Sequence, residues 1–160
     1  MKIAVIGAGA MGSIYASFLS KNNNEVLVID IWEEHLEAIK NNGLRVSGFS
    51  GDNVVKNINV SSNIEDAKGY ELFIIATKAS GVGTVASKLS EITNDDSLIL
   101  TIQNGLGAGE RIAKYMPTNN ILLGVAQGFG AAMKGPGHAH HNNMSTVSYT
   151  HLTLPTIPGV

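Results

Sequence analysis

The chain has 160 residues, of which 44% are hydrophobic and 15% charged, and its formal net charge is −2. This length suits one domain, and the apolar content is enough for a core, which excludes a disordered chain. A near-neutral charge provides no basic surface, so neither nucleic acid nor a membrane is an expected partner. The sequence has no cysteine, which excludes disulfides and thiolate-bound zinc and fits a cytoplasmic location.

The first quarter of the chain alternates between strand and helix patterns. The apolar run Lys2–Ile6 predicts a strand buried on both faces, and residues 10–21 have the three- and four-residue apolar spacing of a helix. Residues 25–30 predict a second strand, and residues 33–42 predict a second helix that ends at Gly43. Together these elements form a β-α-β-α unit.

The alternation resumes after a less regular stretch. Residues 44–62 contain short apolar pieces separated by glycine and asparagine, which predicts small strands or hairpins. Further strands are predicted at residues 72–76, 97–102 and 121–126, and further helices at 82–92 and 108–116. This order predicts an α/β fold, with a doubly wound, mostly parallel sheet and helices on both faces.

The end of the chain differs in character from the rest. Residues 147–156 read Val-Ser-Tyr-Thr-His-Leu-Thr-Leu-Pro-Thr and continue no earlier periodicity. This decapeptide resembles the translation of a transposase-type sequencing-library adapter, and such segments are set aside in fold reasoning. We therefore expect one domain over residues 1–146 and a non-native or disordered tail over residues 147–160. An ordinary strand with alternating Tyr149, His151 and Thr153 is the alternative.

A glycine-rich turn connects the first strand to the first helix. Gly7 would permit the tight turn, Gly9 would leave room for a pyrophosphate, and Gly12 would let the helix pack closely on the strand. The helix N-terminus offers unpaired N–H groups to phosphates. The turn therefore predicts a Rossmann-type dinucleotide site, with a plain glycine turn as the alternative. Its predicted cofactor-binding residues are Gly7, Ala8, Gly9, Ala10, Met11 and Gly12.

Asp30 is the residue predicted to bind the adenosine ribose. It ends the second strand 18 residues after Gly12, close to the spacing of about 20 at which an acidic residue binds the ribose hydroxyls. A 2′-phosphate there would place like charges side by side, and Ile31 and Trp32 supply no arginine to offset them. Asp30 therefore favours NAD over NADP. A loop-capping aspartate is the alternative.

Two polar residues follow later strands. Lys78 comes just after the strand at 72–76, and Asn104 comes just after the strand at 97–102. Ligands of open α/β sheets bind at the carboxyl ends of strands, so both should face one cleft. A lysine can hold a carboxylate or a ribose hydroxyl, and an asparagine can bind a hydroxyl or a carbonyl. Alternatively, each is a solvated loop residue.

Four motifs together resemble the ketopantoate reductase (2-dehydropantoate 2-reductase) family. They are the glycine turn, Ala-Thr-Lys78, Gln-Asn104-Gly, and the glycine-rich segment at residues 128–137. The resemblance covers residues 1 to about 143. It implies a 2-oxo acid substrate that NADPH reduces on the route to pantothenate, with Lys78 and Asn104 contacting cofactor and substrate.

Two departures from the family pattern qualify what the resemblance implies. Asp30 occupies the position at which the family has a basic residue that binds the 2′-phosphate. The chain also stops before the all-helical second domain, which supplies the family's general-acid lysine, so no catalytic residue is expected here. We expect this chain to be inactive alone, and a homodimer of the full-length protein is left open.

Three histidines raise a metal hypothesis. Alternation places His138 and His140 on one face of a strand, as two ligands would require. The preferred interpretation is that these side chains and His141 face solvent on an unpaired strand edge, so no metal site is expected.

Two other functions remain open. The glycine turn alone does not separate this family from another hydroxy-acid or opine dehydrogenase. A non-catalytic NAD(H)-sensing domain is the alternative from a different class. Lys78 and Asn104 favour an enzyme, since a sensor needs no polar groups at the nicotinamide end of the cofactor.

Overall fold

The structure is a computed structural model that describes residues 1–143 and the backbone of residues 146–151. Its main element is a seven-stranded sheet in the order β11-β8-β7-β6-β1-β2-β5. All neighbouring strands in it run parallel except β8 and β11, which are antiparallel. Its strands are β1 Lys2–Ile6, β2 Glu25–Ile29, β5 Ile58–Ser61, β6 Leu72–Ile75, β7 Leu98–Thr101, β8 Ile121–Gln127 and β11 Thr146–His151.

Within the described residues, four α-helices pack on the two faces of this sheet. They are α1 Ala10–Ser20, α2 Glu33–Asn42, α3 Val82–Leu89 and α4 Ala108–Ile112. Along β1, Ile3 and Val5 belong to the core on the α1 and α2 side, whereas Ala4 and Ile6 belong to the core on the α3 and α4 side. Burial on both faces explains why the strands read as continuous apolar runs. The predicted Rossmann-type α/β fold is confirmed.

A second, four-stranded sheet has the order β4-β3-β10-β9. Its strands are β3 Leu44–Gly48, β4 Asn53–Val55, β9 Gly130–Gly135 and β10 His138–Asn143. The sheet packs against α1 through β3, β9 and β10. The β3–β4 hairpin agrees with the small strands predicted for residues 44–62. The alternating series of predicted strands ended at residue 126 and omitted β9, whereas a strand was expected at the histidines, where β10 lies.

The position of β10 corrects one expectation about the histidines. β10 pairs with β3 on one side and with β9 on the other, so it is an interior strand and not an unpaired edge. His141 is fully buried and His138 and His140 are half-buried. The expectation failed because β3 lies far upstream in the sequence, and no local pattern announces that pairing.

The predicted tail begins within the last described strand. The backbone of β11 pairs antiparallel with β8, from Thr146 opposite Gln127 to His151 opposite Leu122. Residues 152–160 lie outside the described residues. The domain boundary at residue 146 and the non-native tail after it remain predictions. In the described part of the chain, every helix falls short of the length and apolar character needed to cross a membrane.

Candidate functional site

The glycine turn follows β1 at the carboxyl edge of the main sheet. Gly7 has a φ of +99°, a conformation that side chains disfavour, and its N–H donates to the carbonyl oxygen of Ile29 at 2.8 Å. A Cβ at Gly7 would lie 2.8 Å from the backbone nitrogen of Thr77. Gly7 therefore brings the turn against the segment that follows β6, where Lys78 is located.

Gly12 is tightly packed against the backbone, whereas Gly9 borders open space. A Cβ at Gly12 would lie 1.9 Å from the carbonyl oxygen of Gly7, so the first turn of α1 packs directly on the glycine turn. A Cβ at Gly9 would have no atom within 4 Å, and Gly9 is exposed. The glycine turn therefore has open space at the helix N-terminus, where N–H groups lack partners within the helix. No acidic side chain occupies the first turn of α1. The space and the donors fit a pyrophosphate.

The Asp30 carboxylate is fixed by two backbone N–H groups. Its Oδ2 accepts from Ala8 of the glycine turn at 2.5 Å, and its Oδ1 accepts from Trp32 at 2.9 Å. Asp30 is half-buried, whereas the next residue, Ile31, is 91% exposed. A carboxylate has about four acceptor positions, so about two remain for ribose hydroxyls.

His35 supports the same turn from beneath, and our sequence analysis assigned it no function. Its Nδ1 accepts from the N–H of Gly137 at 2.8 Å, so its Nε2 carries the proton and faces the Ser13 hydroxyl at 3.3 Å. Ser13 in turn donates to the carbonyl oxygen of Ala8 at 2.9 Å. His35 is fully buried, and burial lowers the pKa of its imidazole. It connects the glycine turn to the second sheet as a neutral group.

Lys78 and Asn104 line one cleft, as their positions after strands predicted. The cleft has a volume of about 430 Å³ and is bounded also by Met11, Gln103 and Phe129. Lys78 and Asn104 are both exposed, so their polar ends are available to a ligand. Because Met11 belongs to the glycine turn, the turn and the cleft are continuous.

Gln103 is a cleft residue to which the sequence analysis gave no role. Its Nε2 donates to the carbonyl oxygens of Ile75 at 2.7 Å and of Thr77 at 3.0 Å, and its Oε1 accepts from the Thr101 hydroxyl. The amide therefore joins the ends of β6 and β7. Its position directly before Asn104 is the only signal that the sequence contained.

The histidines of β10 have partners within the second sheet. The Ser47 hydroxyl lies 2.8 Å from Nε2 of His138 and 3.1 Å from Nδ1 of His140. His141 faces α1 instead, with its ring 4.8 Å from that of Phe129 and 5.8 Å from that of Phe18. Within residues 1–143, no three histidine, aspartate or glutamate side chains come together as a metal site would require.

Most of the sequence also matches a known family. Residues 3–153 match the sequence model of ketopantoate reductase PanE/ApbA. The chain belongs to this family. A ketopantoate reductase-family relative, the 2-dehydropantoate 2-reductase of Streptococcus pyogenes serotype M3, is 36% identical over 140 residues. That alignment covers 88% of this chain and 45% of the relative.

Solved structures of similar proteins agree with the fold. The PanE/ApbA family ketopantoate reductase from Ralstonia eutropha JMP134 superposes with a TM-score of 0.85 at 28% identity, covering 93% of this chain and 49% of that one. D-mandelate dehydrogenase in complex with NADH and anilino(oxo)acetate has a TM-score of 0.80 at 33% identity, covering 93% and 47%. The chain thus spans about half the length of the relatives it matches.

Proposed function

We propose that this chain is the nucleotide-binding half of an oxidoreductase that reduces a 2-oxo acid to the 2-hydroxy acid with NADH. The observation that carries the proposal is the continuity of the glycine turn with the cleft, since Met11 contributes to both. A dinucleotide with its pyrophosphate on the turn would extend its nicotinamide end toward Lys78 and Asn104. Membership in the ketopantoate reductase family supports the reaction type.

The cofactor would be held by residues whose geometry already fits it. The N–H groups at the start of α1 would bind the pyrophosphate above Gly9, where no atom lies within 4 Å of an added Cβ. The free acceptor positions of Asp30 would bind the two hydroxyls of the adenosine ribose. A bound nicotinamide supplies a hydride to the ketone carbon of the substrate.

The charge at Asp30 supports NAD over NADP. The carboxylate is already held by Ala8 and Trp32, so it cannot turn away from a 2′-phosphate without losing both bonds. One such like-charge pair costs about 1 kcal/mol in water and about 4 kcal/mol near a protein surface. Residues 31–39 contain no lysine or arginine that could offset the charge of Asp30.

Lys78 and Asn104 would bind the substrate and the nicotinamide end of the cofactor. The ammonium group of Lys78 suits the carboxylate of a 2-oxo acid, and the Asn104 amide can donate to the ketone oxygen or to a ribose hydroxyl. The proton that completes the hydroxyl group would come from a general acid in the second domain, which the relatives have outside the region that this chain matches.

The cofactor proposal is tested by isothermal titration of the 160-residue chain with NADH and with NADPH. NADH should bind more tightly, by about fivefold to a thousandfold for the electrostatic range above. Asp30→Ala should narrow this difference, whereas Glu34→Ala, which changes the same charge on an exposed side chain of α2, should leave it nearly unchanged. Equal affinities, or a preference for NADPH, would refute the NAD assignment.

Family membership supports 2-dehydropantoate as the substrate, which would place the protein in pantothenate biosynthesis. A second candidate is another 2-oxo acid, because one structure similar to this chain is a D-mandelate dehydrogenase with NADH and anilino(oxo)acetate. The test measures NADH oxidation by the protein encoded up to the natural stop codon, with 2-dehydropantoate and with phenylglyoxylate. Faster turnover of phenylglyoxylate would favour the second candidate. Tight NADH binding without turnover of either acid would favour a sensor.

A further inference from the structure

Lys78 lies in a segment that has no strand partner of its own. The parallel ladder between β6 and β7 ends at the pair Ile75 and Thr101, and Lys78 lies three residues beyond that end. Backbone bonds flank this segment, from the N–H of Ala76 to the carbonyl oxygen of Ile6 and from the N–H of Gly81 to the carbonyl oxygen of Lys78, both at 2.8 Å, and neighbouring side chains supply the remaining contacts.

Beyond the end of the ladder, the side chain of Gln103 supplies hydrogen bonds between the segments that follow β6 and β7. Its side-chain N–H groups donate to the carbonyl oxygens of Ile75 and Thr77, at 2.7 and 3.0 Å, so both amide hydrogens are used. Its carbonyl oxygen accepts from Thr101, at the end of the strand that carries Gln103 itself. The amide is thereby oriented from one strand and bonded to the other.

A second contact holds the other side of Lys78. The Arg111 guanidinium, from α4, donates to the carbonyl oxygen of Ala79 at 3.1 Å. Thr77 and Ala79 are thus both held by side chains from the segment after β7, and Lys78 lies between them. Gln103 is half-buried whereas Arg111 is exposed, so water competes less for the Gln103 bonds.

We propose that Gln103 is a positioning residue that sets the backbone of Lys78, and with it the place where the lysine meets the nicotinamide end of the cofactor or the substrate. Gln103 directly precedes Asn104, so one amide fixes the distance between the two polar residues of the cleft. This inference rests on the proposed role of Lys78. Gln103 itself takes no part in the reaction.

The test compares two ligands on the 160-residue chain. NADH reaches both the turn and the cleft, whereas ADP has the adenosine and the two phosphates only. Gln103→Glu keeps the size of the side chain but removes both donors. It should weaken NADH binding about three- to tenfold, as expected for lost hydrogen bonds, and change ADP binding less than about twofold. Gln103→Met is the uncharged second variant.

A matched control separates positioning from general stability. Asn120 is buried and donates from its side-chain amide to the carbonyl oxygen of Asp95 at 2.8 Å, in the loop before β7 and outside the cleft. Asn120→Asp should lower the Tm without changing the ratio of NADH to ADP affinity. If Gln103→Glu and Asn120→Asp have the same effect on that ratio, Gln103 is merely structural and the inference is overturned.

Lys78→Ala distinguishes failure of the inference from failure of the proposed function. Lys78→Ala should change the affinity ratio in the same direction as Gln103→Glu, and adding Gln103→Glu to it should have little further effect. Additive losses would overturn the action of Gln103 through Lys78 while leaving the role of Lys78 intact. An unchanged ratio in Lys78→Ala would refute the role of Lys78 and this inference with it.

Discussion

At Gly9, an added side chain would contact a bound ligand but no atom of the protein. Its backbone is extended, with φ −62° and ψ −172°, and a Cβ built there has no atom within 4 Å. Gly9→Val should therefore fold without strain. Its free energy of unfolding should change by less than about 0.5 kcal/mol, or rise slightly, because valine restricts the unfolded chain.

The same substitution should abolish nucleotide binding. A valine at Gly9 fills the space above the N-terminus of α1 and keeps a pyrophosphate away from the N–H groups there. If two charge-assisted hydrogen bonds are lost, each worth about 1.5–3 kcal/mol, binding weakens by at least about 3 kcal/mol. The Kd for NADH should therefore rise more than about a hundredfold.

Gly12→Val provides the contrasting variant within the same turn. Its Cβ would lie 1.9 Å from the carbonyl oxygen of Gly7 and 3.2 Å from the Cβ of Ala76, which forces the helix away from the turn. The protein should lose about 3 kcal/mol of stability or more. Urea unfolding and titration with NADH are measured on both variants. A Gly9→Val protein with native affinity for NADH would refute the assignment of this turn to the pyrophosphate.

Three further predictions concern pH, an exposed ion pair and turnover. Burial lowers the pKa of His35 below its usual 6.5, so stability should be complete above about pH 6.5 and fall as the pH drops through the lower pKa of the folded chain. The urea concentration at the unfolding midpoint should therefore decrease as the pH is lowered below about 6.5, and it should decrease less steeply in His35→Phe. A midpoint that stays constant with pH in the unmodified chain would contradict the effect of His35. Asp52→Asn removes the ion pair with Arg45, and its Tm should equal that of the unmodified chain because both side chains are about half exposed. The 160-residue chain should bind NADH but not oxidise it with 2-dehydropantoate, and turnover at the rate of a full-length family member would contradict this.

Local patterns were sufficient to predict the elements that form the proposed nucleotide site. β1, α1, β2 and α2 were expected nearly at their observed bounds, because the two strands are continuous apolar runs and the two helices combine apolar periodicity with a glycine boundary. The cleft was also predictable in part, since Lys78 and Asn104 each follow a parallel strand. Carboxyl ends of parallel strands share one edge of a sheet, so their common position required no knowledge of contacts.

Long-range contacts explain what the sequence could not reveal. β9 and β10 consist largely of glycine, alanine and histidine, and they become strands because β3 and α1 provide a surface for them. Likewise, His35 resembles any polar residue in the first turn of an amphipathic helix until its bond to Gly137 is seen. The role of Gln103 was hidden for the same reason, because its partner Ile75 ends a strand 28 residues earlier in the sequence.

The separation between β3 and β10 has a consequence for how the chain folds. The bond between Ser47 and His140 joins residues that are 93 positions apart, so the second sheet closes only after nearly all of the domain has been synthesised. Long-range pairing of this kind is slow, because a large loop must be ordered before its contacts form.

Until β10 arrives, the outer side of α1, including Phe18, lacks the sheet that covers it. The β3–β4 hairpin also presents an unpaired strand edge during that time, and such edges can join other chains. The glycine turn, which is synthesised first, receives its support from Gly137 among the last contacts to form. A ribosome-bound chain that stops short of β10 should therefore bind NADH less tightly than the completed domain.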